Sequence, residues 1–133
     1  MFSAGGAKIG AKSTEISLLN AKYTTIGSNV HSAEIYLGYY MNVGDGCTGI
    51  KVIDGAGLAI SNIGAHCSNI GFFGNGSGFN IGGGCSNVFI SSNAVKVKIG
   101  DFNNDIILRG ASSYTNIGNN NNGVFLEGSN YTT

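Results

Sequence analysis

From Ile63 to Leu126 the chain reads, in nines, IGAHCSNIG FFGNGSGFN IGGGCSNVF ISSNAVKVK IGDFNNDII LRGASSYTN IGNNNNGVF L. Its first column is Ile63, Phe72, Ile81, Ile90, Ile99, Leu108, Ile117 and Leu126, all large and apolar. With 42% of the chain apolar, chance would give such a run about once in a thousand tries per phase. Two residues earlier runs a second column, Ser61, Ile70, Phe79, Val88, Val97, Ile106, Thr115 and Val124. Side chains two apart share one face of an extended strand. Between the strands stand turn formers such as Gly82-Gly83-Gly84 and the run Asn119 to Asn122. The unit is therefore a short strand and a turn, repeated.

Successive nines are unlike. The residue after the key position is Gly64, Phe73, Gly82, Ser91, Gly100, Arg109, Gly118 and then Glu127, with glycine at every other step. The residue before it alternates too: Asn62, Asn80, Lys98 and Asn116 in one half, Gly71, Phe89, Ile107 and Phe125 in the other. This predicts an all-β fold, a parallel β-solenoid (β-helix) of about 18 residues per coil, with two strands in each coil and like halves stacked about 4.8 Å apart.

The second half is apolar on both faces of the strand, as in Val88-Phe89-Ile90, Ile106-Ile107-Leu108 and Val124-Phe125-Leu126. Such strands are normally buried on both sides. Val88, Ile90 and their equivalents are expected to fill the coil, while Phe89, Ile107 and Phe125 stand outside as a stripe. Ile53 is assigned to the same surface. A contiguous apolar stripe marks an interface, and the simplest partner is the chain itself, as a homotrimer around a threefold axis. The alternative is that the N-terminal segment folds over the stripe.

The length of 133 residues allows one domain. Residues 1–13 are small and read as a flexible N-terminal attachment arm, although Ile9-Gly10 and Leu18 already fall on the grid. Residues 14–133 form the solenoid, with 14–58 as irregular coils and 59–128 as regular ones. In the irregular part Ile26 and Ile35 are one residue out of phase, and Asp45 and Asp54 occupy positions that should be apolar. A one-residue slip turns every side chain to the other face, so bulges or altered turns must absorb it.

Charge argues against several classes. Seven basic and seven acidic residues balance, which leaves no electrostatic footprint for nucleic acid. No apolar stretch is long enough for membrane insertion, and Met1-Phe2-Ser3-Ala4-Gly5-Gly6 does not open a signal peptide. With 23 glycines and 17 asparagines, hydrated amides are expected to carry the solvent face.

Candidate ligand-binding residues are Tyr36, Tyr39 and Tyr40, which crowd into Glu34 to Met41. Tyrosine offers an apolar face with a polar handle, suited to sugars and protein partners; packing at an irregular coil is the alternative. Cys67 and Cys85, 18 apart, are expected to stack in adjacent coils at a separation that permits a disulfide. Asn103 and Asn121 occupy the same slot later in the chain, so buried free thiols are favoured. Cys47 has no evident mate. Three cysteines without C-x-x-C, and histidines isolated at His31 and His66, form no zinc set, so no metal and no cofactor is expected. Gly100 to Asp105 resembles a calcium-binding turn only faintly, since the acids do not recur. Asp45 and Asp54 fall on opposite strands and Asp101 and Asp105 in one turn, so no carboxylate pair points to a glycosidase and no enzyme activity is expected. The outward column lacks the threonine ladder of an ice-binding solenoid.

Three segments, Ser68-Asn69-Ile70-Gly71, Phe79-Asn80-Ile81-Gly82-Gly83-Gly84-Cys85-Ser86-Asn87 and Thr115-Asn116-Ile117-Gly118-Asn119, resemble the Asn-x-(Ile/Phe)-Gly nonapeptide repeats of β-solenoid fibre and spike proteins of bacteriophages. The resemblance covers about residues 60–122. It implies a trimeric β-helical fibre, spike or decoration protein at the virion surface, serving display or host attachment. The N-terminal arm would then hold a capsid or tail protein, and a host surface glycan or protein would be the receptor. The other reading is a cellular extracellular-surface or filament-forming solenoid subunit.

Overall fold

The computed structural model describes residues 6–19, 23–36, 40–58, 61–76, 78–91, 96–112 and 114–129, with side chains throughout except at 54–58, 61, 75, 76, 111, 112 and 129. Its strands are β1 (Ala7–Ile9), β2 (Thr14–Leu19), β3 (Tyr23–Ile26), β4 (His31–Tyr36), β5 (Tyr40–Val43), β6 (Thr48–Leu58) and β7 (Ser61–Ile63). They continue as β8 (Ser68–Gly76), β9 (Gly78–Ile81), β10 (Ser86–Ser91), β11 (Lys96–Ile99), β12 (Asn104–Ser112), β13 (Tyr114–Ile117) and β14 (Asn122–Ser129). Odd strands form one seven-stranded sheet and even strands another, each in sequence order. Every pairing is parallel. The chain is a two-sided parallel β-solenoid, as its period requires.

The core lies between the sheets. Even strands send in two columns, one through Ala33, Ile50, Ile70, Val88 and Ile106, the other through Ile35, Val52, Phe72, Ile90 and Leu108, all buried. Odd strands answer with Ile26, Val43, Ile63, Ile81 and Ile99. Phe72 and Phe79 meet edge to face at 5.4 Å between centroids, a favoured aromatic geometry.

The two turns of each coil behave differently. The turn from an odd to an even strand keeps one length in all seven coils, as in Ile9 to Thr14, Val43 to Thr48 and Ile117 to Asn122. Three backbone hydrogen bonds cross each step here. Between the fourth and fifth coils, Gly82 N donates to Ile63 O, His66 N to Gly83 O and Ser86 N to Cys67 O, each at 2.9 Å. A turn so tied cannot gain or lose a residue without orphaning buried backbone groups.

The variation falls between the start of an even strand and the odd strand that follows it. Partners are 17 residues apart in the first two steps, as Thr24 to Ala7 and Met41 to Thr24 show. The third step is 20, Met41 to Ser61, and the later ones are 18, as Phe79 to Ser61 and Val97 to Phe79. The long step is taken up beside β6, where the register shifts between Ile53 and Gly55 and between Ala56 and Leu58. Short steps and long step cancel, so Ile9 stays on the 18-residue grid while Ile26 and Ile35 leave it.

This register corrects the reading of Asp45 as a residue on an apolar position: Val43 fills that place, and Asp45 lies in the turn. Asp54 belongs to β6, its side chain outside the described residues. Of the residues assigned to the attachment arm, Ala7–Ile9 pairs with β3 and Ile9 is buried. Residues 1–5 lie outside those described.

Two backbone positions in every coil have positive φ. One ends the constant turn, at residues such as Asn29, His66, Gly84, Phe102 and Asn120; the other opens the even strand, at Glu15, Ser32, Asn69, Asn87, Asp105 and Gly123. Glycine, asparagine and aspartate adopt this region most easily, and they hold nine of these fourteen positions.

Candidate functional site

The molecule is a ribbon with two unlike outer faces. On the even sheet Phe89, Ile107 and Phe125 are successive register partners, so the expected column exists on one face. Phe125 is 52% exposed, and Phe89 and Ile107 are half-buried. Ile53 stands in the neighbouring column, level with Phe73. Gly71 fills the place below Phe89. The Phe73 ring folds across it, so close that a Cβ on Gly71 would lie 2.9 Å from Phe73 Cε2, and its centroid is 5.4 Å from that of Phe89.

Phe73 thus extends the apolar surface to Ile53, a contact the sequence reading missed. The signal was a glycine in an otherwise apolar column with an aromatic residue two positions on. Charges flank the patch: the Arg109 guanidinium lies 5.8 Å over the Phe89 ring and pairs with Glu127 at 3.4 Å, while Lys51 pairs with Glu34 at 3.8 Å. A depression of about 360 Å³ lies between Lys51, Asn69, Phe73 and Phe89.

The odd sheet presents the wet face. Asn62 donates to Asn42 at 2.7 Å and Asn80 to Asn62 at 2.8 Å, and the next places in the same column are Lys98 and Asn116. Beside it, Tyr23 and Tyr40 stack at 5.0 Å with planes 7° apart. Tyr36 and Tyr40 are on opposite sheets. Tyr36 donates to Glu34 at 3.2 Å; the Glu34 charge and this bond push its phenol pKa up. Tyr39 lies outside the described residues.

Cys67 and Cys85 stack in adjacent coils, and Cys47 stands beneath them in the same column, which corrects its reading as a residue without a mate. All three are buried free thiols. They donate to the glycine carbonyls of the preceding coil, Cys47 to Gly27, Cys67 to Gly44 and Cys85 to Gly64, at 3.1–3.2 Å. Burial pushes the Cys47 thiol up. The neighbouring Cys85 thiol, with burial, raises that of Cys67, and Cys67 in turn pulls Cys85 down. Asn121 donates to the equivalent carbonyl of Gly100 at 2.9 Å, so amide and thiol use one acceptor. Among the described residues no group of three His, Cys, Asp or Glu could hold a metal ion, and no helix is long and apolar enough to cross a membrane.

Compared with known proteins, the chain matches no family model, no curated sequence and no solved structure.

Proposed function

We propose that this chain is a non-enzymatic structural protein of a virion surface, a homotrimeric fibre, spike or decoration protein that displays its wet face for host attachment. The observation that carries the reading is the stripe of Phe73, Phe89, Ile107 and Phe125, continuous along one outer face. Each such side chain gains about 1.5–3 kcal/mol when covered, and a large exposed apolar patch marks an interaction surface. Identical stripes closing around a threefold axis cover one another and form a discrete assembly. The virion setting rests on the resemblance to phage nonapeptide repeats; the N-terminal residues would hold a capsid or tail protein.

Light scattering on the full chain tests the assembly. The native protein is expected to have the mass of a trimer, and Phe89→Glu with Phe125→Glu to release monomers with an unchanged β-sheet spectrum. A native monomer would remove the assembly from the account.

A cellular filament subunit is the second reading, favoured by one observation. Ile16 and Leu18 at one end of the described solenoid, and Ile117, Val124 and Leu126 at the other, are only half-buried, so ends could stack. Open-ended polymers in the same experiment would select it.

A further inference from the structure

The outer face of the odd sheet carries lysines at Lys8, Lys96 and Lys98, and no acidic side chain among its described outward residues. Lys96 stands in register between Gly78 and Tyr114, and Lys98 between Asn80 and Asn116. Three of these four neighbours, Asn80, Tyr114 and Asn116, line a shallow depression of about 360 Å³ together with the two lysines.

Lys98 interrupts the amide ladder. An asparagine there would extend a chain of hydrogen bonds that each contribute about 1 kcal/mol. Instead the chain places two ammonium groups on one face of one strand, and neither forms an ion pair among the described residues. Both are exposed, and two cations beside carboxamides complement an anionic ligand.

We propose that this face binds an acidic polysaccharide, with Lys96 and Lys98 meeting its carboxylate or sulfate groups and Tyr114 bearing on a sugar ring. Ammonium groups act as point charges toward such anions. Carboxamides at Asn80 and Asn116 both donate and accept, as sugar hydroxyls do. A tyrosine ring gives an apolar platform with a polar edge. Nucleic acid fits less well, because it calls for a broad basic footprint and this chain has no net charge. The inference names the receptor class for the attachment role proposed above and rests on it.

The test uses the full chain with heparin as a sulfated probe, polygalacturonate as a carboxylated one and dextran as a neutral one. Binding is expected to one or both acidic polymers and not to dextran, and to weaken as salt rises. Lys96→Gln with Lys98→Gln should lose at least tenfold in affinity, while Lys12→Gln in a turn stays within about twofold. No binding to either acidic polymer, equal binding by the double variant, or tighter binding to a single-stranded oligonucleotide would each overturn the proposal. Mass measured on the same samples separates the two claims: a trimer that ignores both polymers sinks this site alone, and a monomer that binds them sinks the assembly alone.

Discussion

Asn103 accepts a hydrogen bond on its side-chain oxygen from the backbone N–H of Cys85 at 2.7 Å, so a side chain of one coil secures the turn of the coil before it. Its amide nitrogen donates to Gly100 O at 2.9 Å, and Asn121 repeats the device on Asn103 N at 2.7 Å. Asn103 is buried. Asn103→Ala would leave the Cys85 N–H without a partner, which costs about 1–3 kcal/mol. Urea unfolding should show that loss, against less than about 1 kcal/mol for Asn104→Ala at the exposed neighbouring position.

Gly82 permits close stacking rather than an unusual φ. A Cβ there would lie 2.7 Å from Gly64 C and 2.8 Å from Ala65 N, both backbone atoms of the preceding coil. Since neither can move without opening the tied turn, Gly82→Ala should cost about 1–3 kcal/mol. Gly10, whose nearest such neighbour is Ser13 Oγ at 3.9 Å, is the control, and Gly10→Ala should stay within about 0.5 kcal/mol. Equal effects at both sites in thermal unfolding would contradict the steric account.

Thr24 is buried in the odd sheet, and its Oγ1 has no hydrogen-bond partner among the described residues. The same inward column holds Phe79 and Val97. Replacing the hydroxyl with a methyl keeps the shape and removes the desolvation cost, so Thr24→Val should stabilise by about 1 kcal/mol. A lower urea midpoint for the variant would contradict this.

The Cys47 thiol is held above its ordinary range by burial. A raised folded-state value makes the contribution complete below the unfolded pKa of about 8.5 and lost as pH climbs toward the folded value. Stability should therefore fall in alkaline solution, by at most about 1.4 kcal/mol per pH unit for this thiol. Cys47→Ala should show a shallower fall over the same alkaline range; an identical slope would mean that Cys47 does not titrate as argued.

Periodicity carried most of the fold. The alternation of Gly64, Phe73, Gly82 and Ser91 after the key residues told two halves apart before any coordinate was known, and the aligned Phe89, Ile107 and Phe125 followed from it. The first three coils are harder to read because their steps of 17 and 20 hide the constant turn. That is why Cys47 seemed isolated, although its turn has the same length as those of Cys67 and Cys85.

The sequence by itself determined the architecture, because a side chain every second residue and a coil every eighteenth leave one way to bury the apolar columns. Only the tertiary structure decided which side chains meet across coils and which are kept apart by the core. Phe73 closes over Gly71 and Phe89, and Tyr36 and Tyr40, four residues apart, end on opposite faces of the ribbon. The physical reason is that β4 and β5 belong to the two sheets that face each other across the core, so a short separation in sequence becomes a separation by the whole apolar interior.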